Sequence, residues 1–224
     1  MVLSDVHYNL FEQKNLLNRT KHLKRKNLRK RNNNKTQKHL KMNTLNIVPE
    51  NPDLVLIALN PTLEAIKNDA IFSRDQAFWN LLFRAGIISD ISKVELKLRA
   101  MEVFKNQKYS KICLGFADLL PLIVETNSKK VVVPVGSSIK LLENTPNLKN
   151  AKRIALMGQK VVDAFAMDFP NLKNWKEMGK SIGKRHFGNI GTINTGNSYV
   201  EIFAMPFPIN NNLADKHEIY MQLI

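Results

Sequence analysis

The regular alternation of apolar and polar segments begins at Asn46. DLVLIAL, residues 53–59, is a continuous apolar run bounded by Pro52 and Pro61, the pattern of a strand buried on both faces. A segment reading as loop follows to about Ser73. QAFWNLLFRAGI comes next, with Phe78, Leu81, Leu82 and Ala85 at helical spacing and a stop at Gly86, which predicts a helix. KICLGFADLLP (111–121) opens as a strand, SSIKLLENT reads as a helix from Ser137 and Ser138, and KRIALMG (152–158) is a second buried strand leading into a helix at KVVDAFAMDF. TINTGNSYVEIFAMPFP holds two β-like runs around Thr195, Gly196 and Asn197, a hairpin pattern, and DKHEIYMQLI is expected to close the chain as a helix.

Strands alternating with helices predict an α/β fold, a three-layer α/β/α sandwich around a mostly parallel sheet. Ligands of such open sheets bind at the carboxyl ends of the strands. The segments after Leu59, Leu114, Leu156 and Met205 are therefore expected to share one rim, and the site is sought there.

Length fits this plan, since 224 residues supply one domain of roughly 180 residues and an appendage. The appendage is residues 1–45, which hold twelve Lys and Arg against Asp5 and Glu12, so 12 − 2 = +10 of the net +15. Its stretch KHLKRKNLRKRNNNKTQKHLK has no apolar period and an Asn cluster; it cannot bury enough surface to offset its ordering entropy and is expected to be disordered or partly helical when free. Charge of this sign and density binds polyanions through phosphate neutralisation and counterion release, although an import signal, a ribosome-adhering tail or a solubilising run has the same composition. Residues 46–224 form the expected globular domain.

Composition narrows the classes further. No apolar run approaches the roughly 18 residues of a membrane span, and MVLSDVHYNLFEQKN lacks the features of a secretory signal. An intracellular protein is expected, nuclear if eukaryotic and otherwise cytoplasmic. The single Cys113 cannot form an internal disulfide and reads as a buried apolar residue; His7, His22, His39, His186 and His217 show no zinc-site spacing. Neither metal nor cofactor is expected. MGKSIGKRHFG superficially suggests a phosphate-binding loop, but its Gly-to-Gly-Lys spacing is one residue short and Arg185 stands where a hydroxyl residue would reach a metal. Lys180, Lys184 and Arg185 read instead as phosphate contacts or as a solvated face.

The first rim segment, ALNPTLEAIKNDAIFSRDQAFWNLLFRAGII, carries an Asn-Pro turn after a strand, an aromatic in the following loop and a Phe-Trp helix ending in Ala-Gly. In this order it resembles the first motif of the uracil-DNA glycosylase superfamily, closest to the mismatch-specific uracil/thymine branch. Asn60 and Pro61 match the turn, Phe72 the aromatic that stacks on an extruded base, and Phe78, Trp79, Ala85 and Gly86 the helix. The resemblance continues through GFADLL, LMGQKVVDAF and MPFPINNN and covers about residues 53–215. Thr62 replaces the glycine usual after Asn-Pro, AI stands where the family has a small-residue and histidine-containing stretch, and Pro206, Phe207 and Pro208 replace the usual Pro-Ser of the second motif.

The resemblance implies a monofunctional DNA glycosylase that hydrolyses the N-glycosidic bond of uracil, or of mismatched thymine or another damaged base, after flipping it from the stack. Asn60 would position the attacking water, because an amide is too weak a base to deprotonate it. Phe72 would stack on the base, amides near Phe72 and Ser73 would donate to its oxygens, Pro61 would shape the pocket and Asp118 would read the base edge. Pro206, Phe207, Asn210 and Asn211, with Lys180, Lys184 and Arg185, would contact DNA, duplex or single-stranded, and the protein would act as a monomer. No lysine matches a nucleophile position, so backbone cleavage is not expected. Taken singly, an Asn-Pro pair is an ordinary turn and Phe72 an ordinary loop anchor. Two other readings stay open: a DNA-binding protein of the same fold with weak or lost catalysis, favoured by the altered second motif, and an RNA-associated factor driven by the basic arm.

Overall fold

A computed structural model describes residues 46–178, 187–196, 198–208 and 213–224, all within one compact unit, Thr44–Ile224. Its centre is a five-stranded sheet in the order β2-β1-β3-β5-β4. The strands are β1 (Leu54–Ala58), β2 (Leu114–Asp118), β3 (Arg153–Met157), β4 (Gly188–Asn194) and β5 (Tyr199–Met205). β1, β2, β3 and β5 run parallel, and β4 pairs antiparallel with β5 at the edge.

The apolar runs fold as their composition demands. Leu54, Val55, Leu56 and Ile57 are all wholly inaccessible. Leu54, Leu56 and Ala58 face one apolar cluster, with Phe78, Trp79, Phe104 and Tyr220. Val55 and Ile57 face the other, with Leu141, Leu142, Val162 and Phe165. Helices therefore cover both sides of the sheet: α2 (Gln76–Arg84), α3 (Leu96–Ala100) and α7 (Leu213–Tyr220) belong to the first side, α4 (Ser137–Asn144) and α5 (Gln159–Asp168) to the second. Two short helices, α1 (Leu63–Asn68) and α6 (Trp175–Met178), complete the α set. No helix among the described residues is long and apolar enough to cross a membrane.

Four details depart from the reading of the sequence. The expected loop between Leu59 and Ser73 contains α1, which starts because the Thr62 hydroxyl accepts from the Ala65 amide at 3.1 Å. The stretch 88–110, left without an element, folds into α3 and a π-helical turn, Met101–Lys105, that buries Val103 and Phe104. β2 runs on to Asp118, so the rim lies four residues beyond Leu114, and Asp118 is a strand residue. Cys113 is only partly buried; burial raises its thiol pKa above the ordinary value, with the nearby Asp53 carboxylate acting in the same direction.

Candidate functional site

From β1 the chain leads to β2 on one side, and β3 lies on the other. Such a reversal opens a crevice at the strand ends, and a cavity of about 620 Å³ lies there. Its wall takes Ala58, Leu59 and Asn60 from the end of β1, Asp118 from β2, Met157 and Gly158 from β3, and Phe207 from beyond β5. α1, the loop before α2 and the loop after β2 add Thr62, Phe72, Ser73, Asp75 and Glu125.

Asn60 is held by its amide nitrogen. Nδ2 donates to the carbonyls of Glu125 at 2.8 Å, Pro61 at 3.0 Å and Ile123 at 3.1 Å. Carbonyls can only accept, so the orientation of the amide is fixed. Oδ1, which no donor among the described residues engages, is left as the acceptor on a residue of the cavity wall. Lys160, in the first turn of α5, holds the same loop from the other side, its Nζ donating to the carbonyls of Ser128 and Val131.

Phe72 is partly buried and sits at φ 51°, a left-handed conformation that is strained for a bulky residue. Its carbonyl accepts from the Trp79 indole and the Asp75 amide, both at 3.1 Å, which holds the turn in place. Phe78 stacks on the ring with centroids 3.7 Å apart, so one face is backed by protein. Phe207, tilted by 43°, stands 6.4 Å from the same ring. Beside it the Ser73 hydroxyl accepts from Asn68 Nδ2 at 2.9 Å. Asp75 caps α2 by accepting from the Phe78 amide, and burial raises its pKa above the usual carboxylate value.

Asp118 is 2% exposed, and its Oδ2 has no hydrogen-bond partner among the described residues. Burial pushes its pKa up to about 7. Gly158, at φ 95°, makes the sharp turn from β3 into α5 that only glycine takes without strain, while its amide donates to the Met205 carbonyl at 2.9 Å.

The structure thus brings Asn60, Pro61, Phe72, Ser73, Asp118 and Phe207 to one cavity. Pro206 is a correction: it is buried beneath the rim rather than exposed on it, and its carbonyl accepts from the Tyr220 hydroxyl at 3.0 Å. Asn210, Asn211, Lys180, Lys184 and Arg185 lie outside the described residues. Sequence reasoning missed Lys160 and the cap Thr62; the only signal for Lys160 was its place just after the strand-to-helix glycine. Among the described residues no cluster of His, Cys, Asp and Glu is arranged to hold a metal. Comparison with protein-family models and with curated proteins finds no match for the chain.

Proposed function

We propose that the chain is a monofunctional DNA glycosylase of the uracil type, built on a three-layer glycosylase-like fold, that removes uracil or a related base flipped out of DNA. The observation that carries this reading is the fixed amide of Asn60, whose Oδ1 is left to accept a hydrogen bond from water on a wall shared with a backed aromatic ring and a buried carboxyl. Water so held attacks the anomeric carbon while the N-glycosidic bond breaks through an oxocarbenium-like sugar. Uracil leaves as an anion that hydrogen-bond donors stabilise and that takes up the proton the attacking water loses, so a second carboxylate is not needed. Phe72, supported by Phe78, supplies the stacking face, Ser73 and Pro61 shape the pocket, and the basic residues 1–45 attract phosphate.

The test is a single-turnover assay on labelled duplexes holding uracil, thymine, hypoxanthine or a normal base opposite guanine, with alkali revealing abasic sites. Release is expected from at least the uracil duplex, and Asn60→Ala is expected to lower its rate by about a hundredfold or more. One observation favours a second reading, a DNA-binding protein with weakened catalysis: Phe207 stands in the cavity wall, 6.4 Å from Phe72, in place of the second motif's small residues. Salt-sensitive DNA binding without release from any duplex or single strand would decide for it.

A further inference from the structure

Asp118 is the last residue of β2, in register with Ala58 of β1. Its amide donates to Asn46 Oδ1 at 2.9 Å, which fixes the main chain from the outer side. The side chain is buried and lines the cavity, and Oδ2 meets no partner among the described residues. An unsatisfied buried polar atom costs about 1–3 kcal/mol. One left on a cavity wall is available to whatever enters the cavity.

We propose that Asp118 is a protonation-gated reader of the bound base: as a neutral acid it pairs with a ring edge carrying a carbonyl beside an N–H, and as a carboxylate it turns that edge away. The nature of the ligand rests on the glycosylase reading; the gate rests on the geometry. A protonated carboxyl offers one donor and one acceptor, the complement of the imide edge of uracil or the lactam edge of hypoxanthine. A carboxylate offers acceptors only, and one of its oxygens then opposes the base carbonyl. An asparagine in the same place keeps the donor and acceptor at every pH.

The groups around it leave the gate to burial. β1 presents Ala58 and the outer segment presents Asn46. The charged residues of the cavity wall are Glu64, paired with Arg74, then Asp75, Glu125, Lys129 and Lys160. Desolvation is the cause of the raised pKa, with no contribution from these charges. The transition consequently falls near neutrality, and binding of an imide above it requires uptake of a proton.

The experiment titrates the full chain with free uracil and with 1,3-dimethyluracil, followed by ligand-observed NMR at a series of pH values, and repeats both with Asp118→Asn. Uracil affinity of the native chain is expected to fall about tenfold per pH unit above about pH 7. 1,3-Dimethyluracil, which keeps both carbonyls but has no ring N–H, is expected not to bind, and Asp118→Asn is expected to bind uracil equally at every pH. A pH-independent native affinity, an Asp118→Asn affinity that still falls with pH, or no uracil binding at all overturns the gate. A correct pH profile without base release from DNA keeps the gate and removes the glycosylase reading; release from DNA with a flat uracil profile does the reverse.

Discussion

At the scale of single residues, the cavity is defined by what each polar atom has left to offer. Asn60 spends its amide N–H groups on three carbonyls, and that choice separates it from an aspartate of the same shape. Asn60→Asp places an acceptor against those carbonyls, so it is expected to destabilise the fold by about 1–3 kcal/mol at neutral pH. The cost should shrink as pH falls and the new carboxyl protonates, since a protonated oxygen can donate to one carbonyl again. Urea unfolding of both proteins across pH checks this; equal midpoints at neutral pH would mean that the loop after β2 does not depend on the amide. Asp118 is the converse case, a buried side chain whose Oδ2 meets no partner among the described residues.

At the scale of elements, α1 shows what the sequence concealed. Thr62 stands where the resembled family has glycine, and its hydroxyl caps α1 through the Ala65 amide. Removing the hydroxyl should therefore loosen the helix that borders the cavity. Thr62→Ala is expected to cost about 1 kcal/mol and Thr62→Gly only a few tenths, the usual ranking at an N-cap; thermal unfolding of the two variants beside the native chain measures this, and an unchanged midpoint in Thr62→Ala would show that the cap bond contributes nothing. β1 and β3 were legible because both faces of a central strand are buried and the apolar run is continuous, and α2 because its apolar face repeats at helical spacing. α1 was not, because six residues are too few to display a period. The π-helical turn at Met101–Lys105 likewise owes its form to packing around Val103 and Phe104. Of the residues singled out in the sequence, Asn60, Pro61, Phe72, Ser73, Asp118 and Phe207 line the cavity. Pro206 departs from the reading because neighbouring positions of an extended segment face opposite ways, so Pro206 is buried where Phe207 is exposed, and its carbonyl accepts from the Tyr220 hydroxyl.

At the scale of the whole molecule, the cavity's polarity is a charge on the stability of the fold, and pH reveals it. Asp118 has a folded-state pKa of about 7 against an ordinary 3.8. Below the ordinary value the carboxyl is neutral in both states and folding carries no penalty. Between the two values only the unfolded chain ionises, so stability falls as pH rises; above about 7 the loss is complete, and the interval corresponds to about 4 kcal/mol. Asp75, also raised by burial, acts in the same direction. Asp53 and Asp90, held below the ordinary value by hydrogen bonds, contribute stability that is lost only at more acid pH, outside this interval. The native chain is therefore expected to be more stable at about pH 5 than at about pH 8, and Asp118→Asn, which removes the ionisation, to gain stability at the higher pH while changing little at the lower. Denaturant unfolding of both proteins at each pH isolates the contribution by difference. Equal pH dependence in the two would mean that Asp118 ionises as an exposed carboxylate does, and that the cavity admits enough water to solvate it.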